Sequence, residues 1–251
     1  MPASPDLPIS GAPLAGYRSV WDRKPVLRVV YDDLFRRIAD ACVPGMTLEI
    51  GGGSGNLAER LPDVVASDIQ YAPWLNLVAD AQRLPFAAGA LGNIVMLDVL
   101  HHIEYPVSFL REAERVLRPG GRVVMIEPAI TPGSTLFYRF VHEEPVDMSR
   151  DPLATGEVRP DRDPYESNQA LPTLIATRHR ERFHRALPHL RIADVKWFSF
   201  AIYPLSGGFK PWSLVNAAAA RLGLKVERYL EPLLGRVLGF RMMLIVEKRG
   251  Q

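Results

Sequence analysis

Apolar positions along this chain alternate between short continuous runs and longer stretches at helical spacing. Thr47-Leu48 with Ile50, Val64 to Ser67, Leu75 to Ala79, Ile94 to Leu97 and Arg122 to Ile126 have the length of strands, several of them apolar enough to be buried on both faces. Val26, Leu27, Val30, Leu34, Ile38 and Ala41 recur at intervals of three and four, which predicts an amphipathic helix within Tyr17 to Cys42, ended by Pro44-Gly45. A second helix is predicted from Pro106 to Leu117, with Val107, Leu110, Ala113, Val116 and Leu117 on one face and Pro119-Gly120-Gly121 as its stop. This strand-helix rhythm predicts an α/β fold, a doubly wound, Rossmann-like and mostly parallel sheet. Between Asp68 and Asp80 the interval is too short for a full crossover helix, so a turn must replace it.

Beyond Pro128 the rhythm changes. Ser134 to Val141 reads as a short helix, and 147–172, dense in Pro, Asp, Arg, Ser and Gly, as a long loop of the kind that covers active sites. Ala176 to Leu190 reads as an amphipathic helix rich in Arg and His, whose polar side is a solvated face rather than a phosphate patch. Strands are expected at Arg191 to Phe200 and Arg241 to Glu247. The insert at 201–240 carries Leu214, Ala218, Leu222, Tyr229, Leu233 and Val237 near helical spacing, a helical pair whose apolar faces suit the domain itself, a second subunit (a homodimer), a greasy substrate or a membrane surface.

The chemistry concentrates at Thr47 to Asn56. Gly51, Gly52, Gly53 and Gly55 lie between the first strand and a helical restart at Leu57, Ala58 and Leu61, where a backbone without Cβ atoms approaches a bound group closely. The spacing satisfies two patterns, G-x-G-x-x-A of dinucleotide sites and the acidic-x-G-x-G-x-G form used for S-adenosylmethionine. The second strand ends in Asp68, which suits ribose hydroxyls under either reading.

Composition narrows the classes. A chain of 251 residues, 47% apolar, can bury one full core, so a single domain over 1–251 is expected. Its parts would be a cofactor-binding core at 17–130, a substrate or lid segment at 131–175 and the helical insert at 201–240. A net charge of +2 gives no mandate for nucleic acid. The lone Cys42 fits a reducing compartment, residues 1–16 read as a loose leader without signal-peptide character, and no run is long enough for a transmembrane helix. A cytoplasmic location is the expectation.

The order E-I-G-G-G-S-G, Asp68, D-A-Q-R-L-P-F, L-D-V-L-H-H-I and R-E-A-E-R-V-L-R-P-G-G-R-V-V-M-I-E-P, over Thr47 to Pro128, resembles the class I S-adenosylmethionine-dependent methyltransferases. The resemblance implies a seven-stranded sheet with an antiparallel last strand and S-adenosyl-L-methionine as cofactor. It assigns Glu49, Gly51, Gly53 and Gly55 to the methionine portion, Asp68 to the ribose, Asp80 and Ala81 to the adenine, and Asp98 to a place beside the cofactor, with Gly52 and Ile69 also among the cofactor-binding residues. Two positions depart from the pattern, the shortened stretch bearing Tyr71, Trp74 and Leu75, and Asn93 in place of an aspartate.

Methyl transfer to a hydroxyl benefits from a base, for which His101 and His102 are the first candidates and Glu127 and His142 the next. The cluster His142, Glu143, Glu144 and Asp147 reads as a solvated acidic turn with one substrate-facing member, and no metal is assigned. Tyr17, Arg18 and Trp21 are candidates for a lid. The expected activity is methylation of a small molecule, oxygen first, on a saccharide, a lipid-linked or quinone-like molecule or a secondary metabolite. A nicotinamide oxidoreductase and a noncatalytic scaffold are the two alternatives.

Overall fold

The computed structural model describes residues 12–140, 144–157, 159 and 161–250. Ala12–Arg23 (α1) and Pro25–Ala41 (α2) precede the strands Thr47–Ile50 (β1), Val64–Asp68 (β2), Leu77–Val78 (β3) and Leu91–Leu97 (β4). Pro106–Val116 (α3), Leu117–Pro128 (β5), Pro132–Phe140 (α4), Leu171–Ala176 (α5), Arg180–Ala186 (α6) and Leu190–Phe198 (β6) follow. Ile202–Ser206 (α7), Ala217–Leu238 (α8) and Arg241–Lys248 (β7) complete the chain.

The strands form one sheet in the order β3-β2-β1-β4-β5-β7-β6. β7 inserts antiparallel between β5 and β6, and the neighbouring pairs from β3 to β5 are parallel. Alternate residues feed two apolar layers. Ile94, Met96, Val123, Met125, Leu244 and Val246 pack with α3, α5 and α6, while Val95, Val124, Ile126, Met243 and Ile245 pack with α2, α7 and α8. With both faces covered, the central strands have no polar side to show, which is why they read as unbroken apolar runs.

Four helical expectations are corrected. The helix predicted within Tyr17 to Cys42 is two helices, because Pro25 keeps Lys24 out of helical geometry (φ −119°, ψ 86°). The buried Lys24 then donates from Nζ to the carbonyls of Gly208, Lys210 and Trp212 at 2.6, 2.7 and 2.8 Å. The restart after the glycines is a single 3₁₀ turn, Asn56–Glu59, since Pro62 leaves no room for a longer helix. The helix expected at Ala176 to Leu190 is only α6, bounded by the non-helical Thr177 and by Leu187 before Pro188. The helical pair of the insert is one long helix, α8, behind the five-residue α7. Glu227 of α8 caps α7 by accepting from the backbone N–H groups of Ala201 and Ile202, both at 2.7 Å.

The β2–β3 crossover is the predicted turn. β5 starts earlier than expected, immediately after α3, and takes the Pro119-Gly120-Gly121 bend within itself. Asn93 proves to be a structural tie. It donates to Val43 O (2.7 Å) and Thr47 Oγ1 (3.0 Å) and accepts from Val43 N (2.8 Å), a combination of donors and acceptor that an aspartate side chain lacks.

Candidate active site

β1, β2 and β4 end together at one edge of the sheet, because Ile50 is in register with both Ser67 and Met96. The chain leaves β1 through Gly51 at φ 71°, Gly53 at 50° and Gly55 at 76°. A Cβ at Gly51 would lie 2.3 Å from Val99 Cγ2, and one at Gly55 2.8 Å from Trp74 Cδ1. Only glycine satisfies both the left-handed backbone and that contact. At Gly53 the nearest atom to such a Cβ is 3.8 Å away, so this part of the turn faces open space.

Below the turn lie two carboxyl groups. Asp68 accepts from Gly53 N–H (3.1 Å) and Gln70 N–H (3.0 Å), and burial pushes its pKa up against the pull of these bonds. Glu49 is buried and its Oε2 has no hydrogen-bond partner. Burial, with the nearby Asp68 charge, pushes its pKa up to about 8. Pairing of Asp68 with Val78 sets Asp80 just beyond β3, where its Oδ1 accepts from Gln82 N–H at 2.8 Å. Ala81 is buried beside it and Ile69 is half exposed.

The turn is braced from outside. Trp74 Nε1 donates to Gly53 O at 2.9 Å, and the Arg18 guanidinium stacks 4.7 Å from the Trp74 ring. α1 therefore rests on the glycine turn through Arg18, as a lid would. Tyr17 packs edge-on against Phe209, whereas Trp21 is buried among Tyr31 and Phe35 and belongs to the core.

At the end of β4, Asp98 takes the left-handed conformation (φ 59°) and pairs with Arg241 through both oxygens, at 2.6 and 2.8 Å. Arg241 is buried and lies 3.9 Å over the Tyr203 ring. Burial alone would lower the Arg241 pKa, but Asp98 holds it well above the ordinary value.

The next turn, Leu100–His102, carries the histidines. His101 is buried with Nδ1 2.6 Å from Glu127 Oε2, while Glu127 Oε1 accepts from Val99 N–H (3.0 Å) and Leu100 N–H (2.7 Å). Glu127 is thus sealed behind His101, orienting it. His101 Nε2 lies 3.6 Å from Glu144 Oε2, which accepts from Ser167 Oγ (2.9 Å) and Gln169 Nε2 (2.6 Å). Burial would lower the His101 pKa, yet the two carboxylates push it up to about 10. His102 lies 4.2 Å from His101 between ring centres; burial and then the His101 charge lower its pKa, and its Nδ1 is buried without a partner.

The long loop closes over this pair, with Asn168 N–H donating to His101 O (2.8 Å) and an Arg162 guanidinium N–H to His102 O (2.6 Å). Asp147 turns away to accept from Ser149. His142 and Glu143 lie outside the described residues. Sequence reasoning missed the Glu144–His101 approach, the Trp74 brace and the Arg241–Asp98 pair. Only Arg241 left a signal, as the first residue of a strand that ends up opposite Pro128.

Residues 48–125 match the family described as "Methyltransferase domain". The chain is 35% identical over 125 residues to the demethylmenaquinone methyltransferase of Beutenbergia cavernae, covering 43% of this chain and 52% of that protein. It is 30% identical over 112 residues to the ubiquinone/menaquinone biosynthesis C-methyltransferase UbiE of Coxiella burnetii, covering 34% and 44%. The chain thus spans about half the length of these curated relatives. Among solved structures it is similar to a SAM dependent methyltransferase from Archaeoglobus fulgidus, with TM-score 0.51, 14% identity and coverage of 89% of this chain and 94% of that one. A chain of the Haloferax volcanii complex with the Trm112 methyltransferase activator gives TM-score 0.52, 17% identity and coverage of 95% and 94%. These structural likenesses concern the fold, a seven-stranded sheet of which residues 48–125 carry the match to the methyltransferase domain.

Proposed function

We propose that this chain transfers the methyl group of S-adenosylmethionine to an apolar small molecule that carries an acidic hydroxyl. The observation that carries the reading is the buried, unpartnered Oε2 of Glu49 beneath a glycine turn that opens at Gly53. A buried carboxyl without a partner is costly, and the cationic amino group of the cofactor would satisfy it. Glu49 and Gly51, Gly52, Gly53 and Gly55 would hold the amino-acid portion, Asp68 and Ile69 the ribose side, and Asp80 and Ala81 the adenine. Asp98, fixed by Arg241, would border the reacting end.

Bound there, the cofactor supplies a methyl already activated by its sulfonium: the C–S bond breaks with its electron pair passing to sulfur while the acceptor's electron pair forms the new bond. The chain's own work is positioning, exclusion of water and removal of a proton. α1 and the loop after Glu144 provide the cover. His101, tied to Glu127, positions the pair, and His102 presents the lone pair of Nδ1 to the acceptor's hydroxyl proton. Deprotonating a phenol-like hydroxyl makes both its oxygen and the adjacent ring carbons nucleophilic, so this one base serves O- or C-methylation.

Quinone chemistry in the names of the two relatives supports an apolar acceptor. So does α8, whose outer stripe of Leu222, Val226, Tyr229, Leu233 and Val237 is exposed, Tyr229 by 82% and Leu233 by 76%, beside exposed Arg221, Lys225 and Arg236. An apolar stripe with a basic margin suits an anionic membrane surface from which a greasy acceptor is taken up. Among the described residues no helix is long and apolar enough to cross a membrane.

The test is calorimetric titration with S-adenosylhomocysteine, with NADH in parallel, followed by an acceptor screen using labelled methyl donor. Binding of the adenosyl ligand and label transfer to a hydroxylated apolar acceptor are expected. Binding of NADH alone would move the assignment to redox chemistry.

A further inference from the structure

We propose that His101, His102 and Glu144 together bind a divalent transition-metal ion. A nitrogen of each histidine and an oxygen of Glu144 all lie within 4.8 Å of one another. The arrangement behind them is the one that ligand histidines need. His101 spends Nδ1–H on Glu127, so Nε2 is the nitrogen that an ion would take in exchange for its proton. The Glu127 carboxylate thus fixes the His101 ring in the manner of a ligand histidine's supporting partner. Of the His102 ring, Nδ1 is buried without a partner, and it is the nitrogen assigned to the ion. Ser167 and Gln169 orient the Glu144 oxygen in the same manner.

Spacing separates this reading from its rival, an imidazolium at His101 clamped between two glutamates. A charge-assisted hydrogen bond would bring Nε2 and Oε2 to about 2.7–2.9 Å. They are 3.6 Å apart, too far for a hydrogen bond. Two donors each about 2.1 Å from one ion at a tetrahedral angle lie roughly 3.4 Å apart. The clamp also leaves the buried His102 Nδ1 without a purpose, whereas an ion uses it.

Two imidazoles and one carboxylate favour Zn²⁺, Fe²⁺, Co²⁺ or Mn²⁺ over Mg²⁺ and Ca²⁺, which prefer oxygen. Three protein donors leave coordination positions for a further ligand. If the methyltransferase reading holds, that ligand is the acceptor's hydroxyl oxygen, whose proton the ion's charge loosens. In ion-free protein the same His102 lone pair takes the proton directly.

The experiment uses the full chain after chelator treatment, titrated with Co²⁺ and followed by visible d–d absorption, with Zn²⁺ calorimetry alongside. One ion per chain is expected, with affinity at least about 100-fold weaker in His102→Ala and in Glu144→Ala, and about 10- to 100-fold weaker in Glu127→Gln, which alters only the support of His101. S-adenosylhomocysteine binding, measured on each protein, reports whether the fold survives. It also keeps the two readings apart: wild type that takes up Co²⁺ but not the adenosyl ligand retains the ion site and loses the methyltransferase assignment. No Co²⁺ uptake by wild type, or undiminished uptake by the folded double variant His102→Ala/Glu144→Ala, would overturn the ion site.

Discussion

The glycine side of the cleft draws its groups from residues 49 to 80, on three adjacent parallel strands and the turns that leave them. The histidine side draws on Asp98, His101, His102, Glu127, Glu144, Tyr203 and Arg241, delivered by five segments separated in sequence, one of them the helix α7. On the first side, the proposed contacts come from the backbone of the turn together with the Glu49 and Asp68 carboxyls beneath it. On the second, the proposed chemistry rests on side chains that the backbone delivers. Damage should therefore differ in kind: turn variants should lose cofactor binding, and histidine-side variants should lose chemistry with cofactor binding intact.

The largest expected effect is Gly51→Ala. It forces a left-handed alanine, about 1–2 kcal/mol, and a clash with Val99 worth about 1–3 kcal/mol. Thermal melting should fall, and S-adenosylhomocysteine titration should show binding lost. Retained binding would mean that the turn does not cradle the cofactor. His102→Ala comes next, lowering turnover by about 10²- to 10⁴-fold while leaving cofactor affinity in place. Parallel loss of both would erase the contrast between the two sides.

Asp68 tests how clean the division is. The carboxylate bonds the backbone of the turn as well as being the expected ribose acceptor, so Asp68→Ala should weaken cofactor binding by at least about 10-fold and also destabilise the fold by about 1–3 kcal/mol. Asp68→Asn, which keeps an acceptor, should restore much of the stability. Full recovery of affinity in Asn would remove the ribose role.

Glu49 gives a pH signature. Its folded pKa of about 8 stands above the ordinary 4.5, so apo-protein stability should fall as pH rises through that window. A cationic amino group arriving beside it draws the proton off, so titrations near neutral pH in buffers of different ionisation enthalpy should register proton release. Glu49→Gln should abolish that release; unchanged release would place the proton elsewhere. The smallest effect on stability, within about 0.5 kcal/mol per site, is expected for Leu222→Glu and Leu233→Glu on α8, which should nonetheless abolish flotation with anionic vesicles. Concentration-dependent mass in wild type, lost in these variants, would instead make the stripe a dimer face.

The same contrast explains what was legible in the sequence. A left-handed turn between a buried strand and a restart writes itself as glycines at fixed spacing, so Gly51, Gly53 and Gly55 could be read directly. The sheet was legible because strands covered on both faces must be apolar throughout. Helix lengths were misjudged where proline acted one residue upstream, at Lys24 and Leu187, a local effect that apolar periodicity overrides on paper but not in the backbone. Glu144 was legible only as one of an acidic cluster, because its place beside His101 depends on a loop returning through Asn168 to the His101 carbonyl. Trp74, in the stretch that departs from the family pattern, braces the glycine turn.

The insertion of β7 between β5 and β6 bears on synthesis. Five strands, β1 to β5, leave the ribosome with the complete glycine turn before β7 does, yet Asp98 then lacks Arg241 and the sheet lacks its antiparallel member. A nascent chain at that stage would present an acid at the strand end and two unzipped edges. The Arg241 side chain arrives only with β7, so the Asp98–Arg241 pair closes only once translation has passed residue 241.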